Sequence, residues 1–143
     1  MTISNMVAAK TLCEISGWSL SNLRLQKILY FAHRRFLGET GKPLVEGPFV
    51  RYPYGPVIEE VHFHIKGYGR NVIPREVFGV HKALEVETEQ YESIRKEYEE
   101  RKEQYASFLV HESHVPGGAW DRCFSENKKE IPTDYIRDEY EAL

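Results

Sequence analysis

The sequence predicts a mainly α protein. We expect a compact helical domain of about five to seven helices, with a small β element around residues 45–54. Three observations carry this. Apolar residues recur at the helical period over several segments. Glycines and prolines gather in short stretches between those segments. Strand-prone residues concentrate in one place, Phe49, Val50, Tyr52 and Tyr54.

Ser4 can cap a first helix over about residues 5–16, where Val7, Ala8, Leu12 and Ile15 keep the period and Gly17 ends it. Ser21 can cap a second helix that runs to about Leu37. Its apolar face is Leu25, Ile28, Leu29, Ala32 and Phe36, widened by Leu23 and Phe31, so this helix should be central to the core. Gly38 and Gly41 should end it. Pro43, Gly47 and Pro48 then break helix, and the extended β element follows. Pro56 suits the first turn of a third helix carrying Val57, Ile58, Val61, Phe63 and Ile65. Residues 70–84 read as irregular.

Residues 86–112 read as one long amphipathic helix. Its apolar stripe is Tyr91, Ile94, Tyr98, Tyr105 and Phe108. The opposite face is solvated, with Glu92–Lys96 and Glu97–Arg101 at i,i+4 spacing. A loop, VPGGA, leads to a helical turn over Trp120–Phe124, and a last helix covers about 133–141. There is no repeat and no flexible linker, so residues 1–143 read as a single domain.

Composition narrows the function. A net charge of −3 lacks the basic footprint of a general nucleic-acid binder, so a nucleic-acid partner is not expected. No apolar run approaches the roughly 20 residues needed to span a bilayer. The N-terminus lacks the basic and apolar regions of a secretion signal. Cys13 and Cys123 fit buried reduced thiols. These features predict a cytoplasmic protein with no membrane partner.

Chemistry-bearing constellations are thin. His62 and His64 point about 200° apart around a helix axis and cannot share a metal. His111 and His114 are three apart, and HESH falls one residue short of the HExxH zinc spacing. Neither cysteine has an activating context, and no GxSxG, Walker or dinucleotide motif occurs. The second helix could mimic a recognition helix, but it is apolar on too many sides, and Arg34–Arg35 is its only adjacent basic pair. We expect no catalysis, no metal and no cofactor. The remaining signal is aromatic. Tyrosines and tryptophans such as Tyr52, Tyr54, Trp18 and Trp120 serve either as core residues with polar tips at the surface or as a partner-binding patch.

Four stretches together resemble one family. Leu25-Gln-Lys-Ile-Leu-Tyr-Phe-Ala32 is similar to the LQKLLYFA signature of the Panacea antitoxin domain, also called SocA-like or phage-associated GepA-like. Thr40-Gly-Lys-Pro-Leu44 is similar to its TGxPL, and Arg51-Tyr-Pro-Tyr-Gly-Pro-Val57 to its aromatic-x-YGPV element. Ser113-His-Val-Pro-Gly-Gly-Ala-Trp120 is similar to its TH…PW signature. Ser113 stands for the usual threonine, Ala119 for the usual proline, and Tyr52-Pro53 for a more usual tryptophan-lysine pair.

The resemblance implies a helical module that neutralises a cognate toxin protein by direct binding. At least one member acts as an adaptor to a AAA+ protease, which makes such a protease a second implied partner. The family also occurs in prophages and mobile elements, so an accessory protein that binds a host factor is the alternative. The family-motif or partner-binding residues are then Tyr52, Tyr54, Gly55, Pro56, His114 and Trp120. The core signature is Leu25, Gln26, Lys27, Leu29, Tyr30 and Phe31. Trp120 is expected to be largely buried, with His114 beside it.

Overall fold

A computed structural model describes all 143 residues and has the expected mainly α architecture, with seven helices. They are α1 (Asn5–Ile15), α2 (Asn22–Thr40), α3 (Glu59–Ile65), α4 (Glu89–Arg101), α5 (Ala106–Ser113), α6 (Ala119–Glu126) and α7 (Thr133–Glu141). Strands β1 (Phe49–Tyr52) and β2 (Gly55–Ile58) form an antiparallel hairpin between α2 and α3. Short 3₁₀ turns cover Lys66–Tyr68 and Arg75–Phe78.

Helix α2 is the axis of the molecule. Every residue from Leu25 to Arg34 is buried, and α1, α4, α5, α7 and β2 all pack on it. This enclosure keeps α2 from acting as an exposed recognition helix. The apolar core runs from Ile3 to Ile136 and draws a side chain from every helix and both strands. Ser4 caps α1 as expected, its Oγ accepting from the Val7 N–H. Ser21 stands at the start of α2, but its side chain makes no capping bond.

Four expectations are corrected. Gly38 does not end α2. It sits within the helix because the Tyr140 ring of α7 fills the space where a Cβ would project, 2.0 Å away. Gly41, at φ +76°, is the left-handed terminator. Pro56, Val57 and Ile58 belong to β2, not to α3. In the register Arg51↔Pro56, the Pro56 nitrogen points away from β1, so its missing N–H removes no ladder bond.

The long helix over 86–112 is instead two, α4 and α5, broken at Lys102–Tyr105. Arg24 of α2 donates to the freed Lys102 carbonyl at 2.9 Å, which satisfies the backbone at the break. The break redirects the stripe. Ile94 and Leu109 are buried, while Tyr105 and Phe108 are exposed. Finally, the charged face of α4 is only partly solvated. Glu97 and Arg101 are buried together, and Arg35 of α2 donates to the same Glu97 carboxylate at 2.9 Å. Glu92 pairs with Arg95 rather than Lys96.

Candidate functional site

The hairpin between α2 and α3 is where the separate motifs meet. Its loop is Pro53-Tyr54, and neither residue has a positive φ. Proline at the second position and glycine at the fourth suit a type I turn. Gly55 has φ +110°, a region that side-chain-bearing residues avoid. A Cβ there would lie 2.4 Å from Ser113 Oγ and 2.7 Å from Lys27 Cε. Glycine is therefore required twice, by conformation and by space.

The outer edge of β2 is sealed by α2. In the observed register, the polar backbone groups of Pro56 and Ile58 face away from β1. Gln26 takes both groups of Ile58. Its Nε2 donates to the Ile58 carbonyl at 3.2 Å, and its Oε1 accepts from the Ile58 N–H at 2.9 Å. Lys27 Nζ donates to the Pro56 carbonyl at 2.8 Å. Both side chains are fully enclosed. Burial holds the Lys27 ammonium down at about 7 from its ordinary 10.5. The β1 edge is sealed by the segment after α6. There the Arg51 N–H donates to the Lys129 carbonyl, and the Ile131 N–H to the Phe49 carbonyl. No strand of a partner can add to this sheet without displacing a bond.

The fourth motif closes the turn. The Trp120 indole N–H donates to the Tyr52 carbonyl at 2.7 Å. The His114 ring lies 4.0 Å from the Trp120 ring, and Phe124 stacks beyond it at 5.4 Å. Trp120 is partly rather than largely buried, because its outer face is covered only by these neighbours. Burial, followed by the nearby Lys27 charge, pushes the His114 pKa below its usual value. Tyr52 lies edge-on to His62 and donates its hydroxyl to Glu59 at 2.8 Å. Partial desolvation and then that carboxylate raise its pKa.

A second polar centre, under the site, was not legible in the sequence. Tyr30 and Arg34 both donate to Glu139 Oε2, at 2.9 and 2.8 Å. The Ala119 N–H, at the start of α6, donates to Glu139 Oε1 at 2.8 Å. Glu139 thus ties α2 to α7 and to the helix that carries Trp120. Nothing in its local sequence marks it, since it is one of several glutamates in a charged tail. The rest of the core signature is structural. Leu25 and Leu29 are fully buried, and Phe31 packs beneath the guanidinium of Arg101 at 3.8 Å.

The structure therefore brings Gln26, Lys27, Tyr52, Gly55, Pro56, His114 and Trp120 into one assembly. Tyr54 is different. It projects from the tip, 66% exposed, and makes no side-chain hydrogen bond within the chain. The arrangement presents an aromatic side chain on a braced support.

The family model for the SocA-like antitoxin, Panacea domain, matches residues 25–143. The chain belongs to the SocA-like Panacea antitoxin family. Its match begins at Leu25, the first residue of the α2 signature. This Panacea-family chain is also 37% identical over 110 residues to Antitoxin SocA of Caulobacter vibrioides (strain NA1000 / CB15N). That similarity covers 71% of the chain and 58% of the relative, so the chain spans under two thirds of the relative's length. No solved structure matches. No helix in this family member is long and apolar enough to cross a membrane.

Proposed function

We propose that this chain is an antitoxin that neutralises a partner toxin in the cytoplasm by direct protein–protein binding, without catalysis. Residues 1–143 act as one unit in this reading. The observation that carries it is the convergence of separate family motifs on one hairpin. Buried side chains fix the hairpin from behind, and its tip tyrosine is left free. A site built for chemistry would point its polar groups into a cleft. Here Gln26, Lys27 and Trp120 spend theirs on the backbone of the hairpin. Family membership and the likeness to Antitoxin SocA support the same reading.

The test is co-expression with the protein encoded next to this chain's gene. That protein should arrest growth alone, and this chain should restore growth and co-purify with it. If the neighbour is harmless, or toxic and not rescued, the antitoxin reading fails. Delivery to a AAA+ protease belongs to the mechanism only if the toxin's half-life shortens when this chain is present.

A further inference from the structure

Tyr54 stands between two clefts, of about 290 and 570 Å³, and forms part of the wall of both. Leu23 from the first turn of α2 and Gly69-Arg70 from the turn after α3 are shared by the two. Val110 of α5 lines the larger cleft, and His62 the smaller. Together they make one groove with an exposed aromatic ridge at its centre.

Its charge sets it apart. The chain has 22 acidic and 19 basic residues. Three other clefts each carry two or more glutamates, among them Glu100, Glu46 and Glu92. Neither cleft beside Tyr54 has a carboxylate in its lining. Arg70 is exposed and has no ion pair within the chain. Most other arginines are matched, as with Arg34 to Glu139 and Arg122 to Asp138. An unmatched guanidinium beside apolar and aromatic walls is the pattern of an interface anchor.

We propose that this groove is the toxin-docking surface, and that it takes an acidic segment with an apolar or aromatic anchor. The acid meets Arg70, and the anchor packs against Tyr54 and Leu23. The proposal rests on the antitoxin reading above and adds where, and through what chemistry, the toxin binds. Two features narrow the occupant. The sealed edges of β1 and β2 rule out an added strand, so contacts are made by side chains. A single arginine in the groove, on a chain of net charge −3, fits one or two carboxylates better than a nucleic-acid backbone, which needs a row of cations.

The experiment uses the purified neighbour-encoded protein as probe and titrates it with wild type, Tyr54→Ala, Arg70→Glu, Arg70→Lys and Lys42→Glu. Lys42 is exposed two residues beyond the far end of α2, where Thr40 lies roughly 26 Å from Leu23 by helix rise. Tyr54 and Arg70 are exposed, so these variants should keep the wild-type unfolding midpoint.

Tyr54→Ala and Arg70→Glu should each weaken Kd at least tenfold and abolish growth rescue. Arg70→Lys and Lys42→Glu should stay within about threefold of wild type. Added salt should weaken wild type more than it weakens Arg70→Glu. If wild type does not bind the probe, the antitoxin reading falls and this proposal with it. If wild type binds and the Tyr54 and Arg70 variants bind equally well, the groove alone is overturned. Wild-type dimers that Tyr54→Ala dissolves, with toxin binding intact, would assign the groove to a second copy and overturn the proposal.

Discussion

Lys27 carries an amine into the core and gives it one protein partner, the Pro56 carbonyl. A lysine beside Leu25 on an amphipathic helix would be expected to reach solvent. It turns inward because the outer edge of β2 needs donors, and Gln26 turns with it for the same reason. The identity of these residues was legible as part of a signature. Their burial was not, because it answers to a strand about thirty residues away in the chain.

Lys27 has a consequence for pH dependence. Burial lowers its pKa to about 7 in the folded chain, against 10.5 when unfolded. Between these values the unfolded chain binds more protons, so stability rises with pH across that interval. The cost of charging the buried amine is fully present below pH 7 and fades above it. Cys13, pushed up to about 12 by burial, opposes the trend above its ordinary 9.0, which leaves pH 7–9 as the clean window. Denaturant midpoints should show wild type gaining about 1–2 kcal/mol from pH 7 to 9. Lys27→Met should lose most of that gain. A flat profile for wild type would mean that the folded chain keeps the amine protonated and that burial does not lower its pKa.

Among the elements, α2 was the most legible and the junction of α4 and α5 the least. The period of Leu25, Ile28, Leu29, Ala32 and Phe36 identifies a buried helix without any tertiary knowledge. The break at Lys102 has no glycine or proline to announce it. What stabilises it is Arg24, a residue on another helix. Gly38 errs in the opposite direction, because a glycine usually read as a stop is there to let α7 approach. In an ordinary helix interior, Gly→Ala stabilises by about 1 kcal/mol. At Gly38 the Tyr140 ring occupies the methyl's place. Gly38→Ala should therefore lower the stability of the otherwise wild-type chain by roughly 1–3 kcal/mol. In a Tyr140→Ala background the same change should be neutral or stabilising. Thermal or denaturant unfolding of the four variants gives the coupling directly, and simple additivity would show that the two residues do not compete for space.

Across the whole molecule, Glu139 joins the core to the candidate site. Its two oxygens accept from Tyr30 and Arg34 of α2 and from the first residue of α6, which positions Trp120 over the Tyr52 carbonyl. The hairpin is thereby braced from two sides, by α2 directly and by α7 through α6. Glu139→Gln keeps an acceptor for Ala119 but leaves the Arg34 guanidinium buried without a counter-charge. Breaking one side of a buried pair costs on the order of 3–5 kcal/mol, whereas removing both charges together costs far less. Glu139→Gln should therefore lower the denaturant midpoint strongly, and Arg34→Met with Glu139→Gln should recover most of the loss. Trp120 fluorescence and hydrogen exchange of α6 should report loosening in the single variant that a purely local effect at α7 would not produce. A single variant within about 1 kcal/mol of wild type, with α6 exchange unchanged, would show that Glu139 does not brace the hairpin through α6.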